Sequence, residues 1–233
     1  MPIEDRRKQD RAVAVVVKGR PFFCSWSGGK DACLALYRAM QEGGVPRFLV
    51  TMLYEDGKAS RGHKLPIDLV NQQALSIGVP LIARKTSWEG YESALLSILG
   101  ELRLEGIEVG IFGDIELEGH REWVSRVCSL VDMHAYLPLW DNKRDDLLEE
   151  LINAGFKATI VAVRENVLDK RFLGMTLDKA LLQEFTDLGI DASGEAGEYH
   201  TVVTDGPIFS SPLLLEAKGE EYFDGHWFLD MSP

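Results

Sequence analysis

Two adjacent glycines between a serine and a lysine form the stretch of this sequence best suited to chemistry. The order is Ser25-Trp26-Ser27-Gly28-Gly29-Lys30-Asp31, which follows a short apolar run and precedes a helical pattern. Paired glycines let backbone N–H groups approach an anion closely, and the N-terminus of a helix adds a partial positive charge. The serine hydroxyl and the lysine ammonium also suit phosphate. The stretch therefore predicts a phosphate-binding loop, with a plain strand-to-helix turn as the alternative.

Other known loops fit this stretch less well. The GxxxxGK[ST] loop needs four residues between its glycines and a hydroxyl after the lysine, whereas here Asp31 follows Lys30. The GxGxxG pattern does not fit either. A nucleophile elbow needs GxSxG, and Ser25 occupies the place of its first glycine. A Ser27 nucleophile is therefore the rival enzyme hypothesis.

Acidic side chains form the second group of candidates. Glu195 and Glu198 lie three residues apart in a loop with Gly194 and Gly197. Two such carboxylates can bind a divalent cation, orient an ammonium ion or act as a base, and a solvated acidic loop is the alternative. Asp31 can hold Mg²⁺ or cap its helix, and we favour the cap because acidic residues are common at helix starts.

Further candidates follow a predicted strand and a basic loop. Asp114, next to Gly113, comes after a strand, where open parallel sheets bind ligands, and His120 belongs to the following helix. His63 lies in a basic loop that either meets phosphates or is simply solvated. His134, His200 and His226 show no metal-ligand spacing with the cysteines, so we do not expect zinc.

The elements that must position these residues alternate along the chain. Up to residue 140 we predict strands over 22–26, 48–53, 81–86, 109–115 and 136–140, and helices over 31–41, 66–77, 88–104 and 118–130. Beyond residue 140 we predict helices over 144–153 and 176–188, and strands over 158–163, 201–204 and 213–217. This order predicts an α/β fold, a doubly wound parallel sheet over 21–140 with a smaller C-terminal α+β domain over 141–233. Residues 1–20 are expected to form an N-terminal arm.

Composition restricts the class of protein. The 233 residues contain 25 Lys and Arg against 37 Asp and Glu, a formal charge of −12 that argues against a nucleic-acid partner. The early apolar run over 12–17 is too short to span a membrane. Three widely spaced cysteines, Cys24, Cys33 and Cys128, favour a reducing cytoplasm over a disulfide scaffold.

Two motifs together resemble a known family. The loop at residues 27–31 is similar to the Ser-Gly-Gly-x-Asp-Ser loop of the N-type ATP pyrophosphatases, also called PP-loop or adenine nucleotide alpha hydrolase-like proteins. Residues 194–201 read Gly-Glu-Ala-Gly-Glu-Tyr-His-Thr, which resembles the C-terminal signature of the diphthine-ammonia ligase family. The blocks at 48–52, 168–169 and 173–174 are similar to further family blocks. The combination is specific, whereas each block alone is weak.

The resemblance implies a Rossmann-like domain and a ligase that uses ATP and Mg²⁺. Such an enzyme adenylates a substrate carboxylate, releases pyrophosphate and transfers ammonia to the carbonyl group; the family's acceptor is a modified histidine on elongation factor 2. The implied nucleotide-binding residues are Ser25, Ser27, Gly28, Gly29, Lys30, Asp31, Met52, Gly113 and Asp114. The implied catalytic residues are Lys30, Asp31, Glu195 and Glu198, with Asp31 as the metal ligand.

The chain also departs from the family pattern. Ala32 occupies the position of the last serine in the family's loop. Residues 61–64 and 113–116 differ from the archaeal and eukaryotic members and look more like a bacterial branch. Two alternatives therefore stay open, a PP-loop ligase with a different acceptor and a non-catalytic protein that binds ATP or AMP for regulation. A homodimer is also left open.

Overall fold

A computed structural model describes residues 17–232 of the chain. Residues 1–16, which hold most of the arm expected over residues 1–20, lie outside the described residues. Within residues 17–232 no helix is long and apolar enough to cross a membrane.

A parallel sheet forms the N-terminal half. Its five strands are β1 (Pro21–Ser25), β2 (Val45–Leu53), β3 (Leu81–Lys85), β4 (Val109–Ile111) and β5 (His134–Tyr136), in the order β3-β2-β1-β4-β5. Every neighbouring pair is parallel. The order reverses between β1 and β4, and the loops that leave the carboxyl ends of these strands meet in the crevice where open α/β sheets bind ligands.

Helices cover both faces of this sheet. They are α1 (Lys30–Gln41), α2 (Ile67–Ile77), α3 (Tyr91–Leu104) and α4 (Glu118–Ser129). Phe22 and Cys24 of β1 share a core with α1 and α2, whereas Phe23 between them packs with α3 and α4. This alternation sends successive side chains to opposite faces, as a fully buried strand requires. The predicted doubly wound α/β fold is confirmed.

An antiparallel sheet forms most of the C-terminal half. Its strands are β6 (Lys157–Arg164), β7 (Tyr199–Asp205), β8 (Glu216–Phe223) and β9 (His226–Ser232), in the order β7-β6-β9-β8. Two helices, α5 (Arg144–Asn153) and α6 (Lys179–Asp187), precede β6 and β7. The smaller α+β unit is therefore present. Its core is continuous with that of the parallel sheet, and the boundary between residues 140 and 141 stays a prediction.

Several predicted strands were misplaced. The strand expected over 213–217 is wrong, because β8 begins at Glu216 and pairs with β9 in a hairpin. All eight residues of β8 are exposed, so the strand has no apolar alternation that could reveal it. Its turn, Asp224-Gly225, has positive φ at both residues (47° and 79°), as expected for an Asp-Gly hairpin. β4 ends at Ile111 rather than residue 115, and β5 lies before Pro138 rather than across it.

A buried glutamine joins the two sheets at the loop after β1. Gln73 of α2 is fully buried. Its Oε1 accepts a hydrogen bond from Trp26 Nε1 at 3.1 Å, and its Nε2 donates to the carbonyl oxygens of Gly28 at 2.9 Å and Val203 at 2.8 Å. The backbone N–H of Val203 in β7 also donates to the Gly28 carbonyl at 2.9 Å. The side-chain amide thus holds the loop against the second sheet.

Replacing Gln73 should therefore destabilise the fold. We expect Gln73→Leu to lower the free energy of unfolding by about 3 kcal/mol, because the Trp26 N–H and the Val203 carbonyl lose their buried partner. Denaturant unfolding measures the loss. Gln72→Leu is the matched control, since Gln72 is adjacent on the same helix and exposed. Equal stability of the two variants would show that the amide does not hold the sheets together.

Candidate active site

The loop after β1 needs glycine at both of its central positions. Gly28 has φ +81°, and a Cβ there would lie 2.5 Å from Gln73 Oε1. A Cβ on Gly29 would lie 2.6 Å from His63 Nε2 and 3.2 Å from the Thr201 carbonyl oxygen. The chain then enters α1 at once, and the Lys30 N–H donates to Thr201 Oγ1 at 3.1 Å. The predicted loop is therefore held closely between α2 and β7.

Two cavities open beside this loop. The larger, of about 770 Å³, lies at the carboxyl ends of β1 and β2 and is lined by Ser25, Ser27 and Met52. The smaller, of about 310 Å³, is lined by Lys30, Asp31, Gly113, Glu195 and other residues. Asp114 and His120 line both cavities. The loop that we predict to bind phosphate therefore lies between two spaces, each large enough for a ligand group.

The larger cavity has an aromatic wall that the sequence analysis did not anticipate. Trp88, Tyr91 and Trp123 follow one another with ring centroids 5.7 and 6.0 Å apart. Arg61 lines the same cavity and donates from Nε to the Thr86 carbonyl at 2.8 Å. Such flat, partly apolar surfaces suit a ring system, and the guanidinium adds one positive charge.

Lys30 connects the loop to the C-terminal half. Its Nζ lies 2.8 and 3.0 Å from the two carboxylate oxygens of Asp31 and 3.1 Å from Glu195 Oε1. Burial alone would lower the pKa of Lys30, but the charges of Asp31 and Glu195 outweigh it and keep that pKa above its usual value. Burial raises the pKa of Glu195, and Lys30 opposes this rise.

Asp31 does not cap α1, so the helix cap that we predicted for it from the sequence is wrong. The helix has Gly29 at its N-cap, and no side chain accepts a hydrogen bond there. Instead, the neighbouring Lys30 ammonium attracts both oxygens of the Asp31 carboxylate. The carbonyl carbon of Asp31 also lies 2.9 Å from where a Gly113 Cβ would be, so the loop after β4 must have glycine at this contact.

Asp191 positions Glu195, and the sequence analysis did not single it out. Its carboxylate accepts hydrogen bonds from Ser193 N (3.0 Å), Ser193 Oγ (2.8 Å) and Glu195 N (3.3 Å). Arg144 of α5 bridges Asp191 and Glu116. Burial raises the pKa of Asp191, but these hydrogen bonds and Arg144 lower it overall. An Asp two residues before a Ser is a turn signal that could have identified this contact.

Glu198 differs from Glu195 in its surroundings. It is buried, and its Oε2 accepts a hydrogen bond from the Ala196 N–H at 3.0 Å. It lines neither of the two cavities, whereas Glu195 lines the smaller one. The structure thus brings Glu195 to the loop and gives Glu198 a local contact in the turn. A catalytic role for Glu198 stays a prediction.

Three histidine rings extend away from the loop. His63 faces His200 with centroids 4.8 Å apart, and His200 faces His226 at 5.9 Å. The Nδ1 atom of His63 is buried and has no hydrogen-bond partner among residues 17–232. Burial, His200 and Lys30 hold the pKa of His63 well below its usual value. His63 therefore lies against the loop as a neutral ring, not as a solvated basic residue.

Comparisons with known proteins agree with the two motifs. Residues 22–135 match the diphthamide synthase N-terminal domain, and residues 143–232 match the diphthamide synthase C-terminal domain. The chain belongs to the diphthamide synthase family. The family resemblance predicted from residues 27–31 and 194–201 is confirmed.

Similar proteins from three organisms share the name diphthine–ammonia ligase. A human protein named diphthine–ammonia ligase is 33% identical in an alignment of 224 positions that covers 82% of this chain and 81% of the relative. The rat diphthine–ammonia ligase is 29% identical in an alignment of 223 positions that covers 82% of this chain and 80% of the relative. The fission yeast protein of that name is 26% identical, but only 35% of its length is covered.

The neutral histidines make stability depend on pH. Burial, His226 and Lys30 lower the pKa of His200 from 6.5 to about 4, so between these pH values the unfolded chain binds more protons. The free energy of unfolding should fall as the pH is lowered from 6.5 towards 4, by at most about 1.4 kcal/mol per pH unit for each histidine. Denaturant unfolding across this range gives the slope.

Two variants isolate this effect. Glu195, whose pKa is raised, acts in the opposite direction, so wild type and variant must be compared at each pH. His200→Gln should flatten the slope, and His134→Gln, at an exposed histidine, should leave it unchanged. A His200→Gln protein with the wild-type slope would contradict the assignment.

Proposed function

We propose that this chain is an ATP-dependent ligase that adenylates a substrate carboxylate, releases pyrophosphate and transfers ammonia to the activated carbonyl group. The contact between Lys30 and Glu195 carries the proposal, because it joins the predicted phosphate loop to the C-terminal signature. The relatives named diphthine–ammonia ligase support the same reaction class.

The proposed nucleotide site combines the larger cavity with the loop. Ser25, Ser27 and Met52 at the ends of β1 and β2 would hold the nucleoside and the first phosphate. Gly28 and Gly29 let the loop pack closely against Gln73 and His63, and Gly113 and Asp114 border the site at the end of β4. ATP fits this arrangement, since a loop at a switch point between parallel strands is a common place for phosphates.

The proposed chemistry depends mainly on charge and position. Attack of the acceptor oxygen on the α-phosphorus breaks its bond to the pyrophosphate, which leaves with added negative charge. Lys30 of the loop would neutralise that charge. Attack of ammonia on the acyl carbon then forms the C–N bond, breaks the C–O bond to AMP, and releases AMP and one proton. Glu195 would face the acceptor and ammonia from the smaller cavity.

We propose Asp31 as a ligand of Mg²⁺. Both carboxylate oxygens of Asp31 contact Lys30, and residues 17–232 contain no group of three or more His, Cys, Asp or Glu side chains placed to hold a metal ion. A magnesium ion would neutralise phosphate charge and take most of its oxygen ligands from ATP and water.

The acceptor is proposed from the relatives. Their name indicates diphthine as their substrate. The family resemblance implies that this acceptor is a modified histidine on elongation factor 2. We propose a carboxylate acceptor of this kind here, in the cytoplasm, with a different acceptor as the alternative. A homodimer remains part of the proposal.

A non-catalytic ATP- or AMP-binding protein is the second candidate. Ala32 favours it, because the loop lacks its last hydroxyl. Ala32 lies in the first turn of α1 and is buried, so a serine there would also have to place its hydroxyl away from solvent.

The reaction products distinguish these functions. With ATP, ammonium chloride and elongation factor 2 carrying diphthine, we expect AMP and pyrophosphate by phosphorus NMR. We also expect radiolabelled pyrophosphate to exchange into ATP only when the acceptor is present. ADP as the sole nucleotide product would exclude adenylation, and ATP binding without any exchange across a panel of carboxylate acceptors would favour the non-catalytic protein.

The two signature glutamates should behave differently. Glu195→Gln should lower kcat about 100-fold without weakening ATP binding, because its carboxylate acts on groups beyond the nucleotide. Glu198→Gln keeps an oxygen that can accept the hydrogen bond of Ala196, so we expect a smaller fall. Steady-state kinetics with separate ATP-binding measurements test both variants. A larger effect at Glu198 would reverse the proposed roles.

A further inference from the structure

The two cavities beside the loop share one pair of side chains. Among residues 17–232, Ser27 lines only the larger cavity, and Lys30 and Glu195 line only the smaller one. Asp114 and His120 line both. Under the proposed function, the nucleotide occupies the larger cavity, while ammonia and the acceptor face Glu195 in the smaller one. The activated carbonyl group then lies where the two spaces meet, beside Asp114 and His120.

The contact with Asp114 determines which nitrogen of His120 is available. The Nδ1 atom of His120 lies 3.1 Å from Asp114 Oδ1. Because an ionised carboxylate can only accept a hydrogen bond, Nδ1 carries the proton and donates it. Among the described residues, no hydrogen bond or ion pair involves His120 Nε2, so this atom keeps its lone pair. A histidine oriented in this way by a carboxylate is suited to act as a general base.

The first turn of α4 holds the ring at this position. Arg121 Nη2 pairs with Glu118 Oε1 at 2.6 Å, and the guanidinium lies over the Trp140 ring, 4.9 Å from its centroid. The N–H of His120 donates to the Leu117 carbonyl at 2.9 Å. The His120 side chain is nevertheless 65% exposed. A proton taken up by its ring can therefore pass to water.

The amide-forming step of the proposed reaction needs a proton acceptor. When ammonia attacks the acyl carbon, its nitrogen gains a fourth bond and a positive charge. The nitrogen loses one proton as the C–O bond to AMP breaks. Adenylation needs no such acceptor, because the attacking oxygen belongs to a carboxylate that carries no proton. A base beside the carbonyl group therefore acts in the second step alone.

We propose that His120 is the general base of the amide-forming step and that Asp114 orients its ring. The Nε2 lone pair takes a proton from the attacking nitrogen, whose N–H electron pair stays on nitrogen, and AMP leaves with the electrons of the C–O bond. The imidazolium then passes the proton to water. This role rests on the proposed function, because it requires an acyl-adenylate.

Glu195 is the competing base. It lines the smaller cavity, and burial raises its pKa. Its Oε1, however, lies 3.1 Å from the ammonium of the buried Lys30. Protonation of Glu195 would take the negative charge from this ion pair and leave the lysine less well neutralised. Protonation of His120 has the opposite effect, since it places a cation beside the Asp114 carboxylate. Charge pairing thus favours His120.

Separate rates for the two steps test the proposal with elongation factor 2 carrying diphthine. Exchange of radiolabelled pyrophosphate into ATP without ammonium measures adenylation, and mass spectrometry after addition of ammonium chloride measures amide formation. His120→Gln should slow amide formation at least about 100-fold and change the exchange rate by less than about twofold. Added imidazole should restore part of the amide-forming rate of His120→Ala. His134→Gln, at an exposed histidine, is the matched control and should leave both rates unchanged.

Nitrogen-15 NMR of the ligand-free protein tests the ring itself. In the neutral form of His120 the proton should lie on Nδ1, whereas free histidine carries it mainly on Nε2. Three results would overturn the proposal. These are a His120 ring with its proton on Nε2, equal slowing of both steps in His120→Gln, and amide formation at the wild-type rate in that variant. If wild type does not exchange pyrophosphate, the proposed function fails, and the NMR spectrum still decides whether Asp114 orients His120.

Discussion

The glycine loop after β1, which we propose to bind phosphate, is buried between two sheets, and every polar backbone group that this burial removes from water needs a partner. The Gly28 carbonyl receives hydrogen bonds from both Gln73 and Val203, and the Lys30 N–H donates to Thr201. Without these bonds the loop could not lie against β7, since each unpaired buried group costs about 1–3 kcal/mol. The small residues of the loop follow from the same constraint, because a Cβ at Gly28 or Gly29 would occupy the space of Gln73 or His63.

This packing also places charges that are far apart in the sequence. Once Thr201 of β7 is fixed to the start of α1, the turn before it brings Glu195 to Lys30, 165 residues away in the chain. Asp191 and Arg144 then hold the backbone of that turn. The ion pair is therefore a consequence of the joint between the two halves. It neutralises buried charges that would otherwise destabilise the cleft.

The apolar pattern was enough to predict the α/β class, because strands buried on both faces and amphipathic helices leave clear periodicities. It failed at β8, whose residues are all exposed and whose pairing depends on an Asp-Gly turn. The position of Asp31 at a helix start favoured a helix cap, but the adjacent ammonium of Lys30 attracts that carboxylate instead. Gln73 was not singled out. A polar residue beside Leu69 and Val70 on the buried face of α2 was a signal, but its partners lie 45 and 130 residues away.

The same packing changes how the loop can bind an anion. In a free glycine loop at a helix N-terminus, the first backbone N–H groups are available to phosphate. Here the Lys30 N–H is already bonded to Thr201, and the Gly29 N–H lies 3.3 Å from Ser27 Oγ. If the loop binds phosphate as we propose, recognition depends mainly on side chains, above all the Lys30 ammonium and the hydroxyls of Ser25 and Ser27. A lysine that contacted phosphate could not at the same time fully neutralise Asp31 and Glu195. An anion on one side of the loop would then change the charge on the other side.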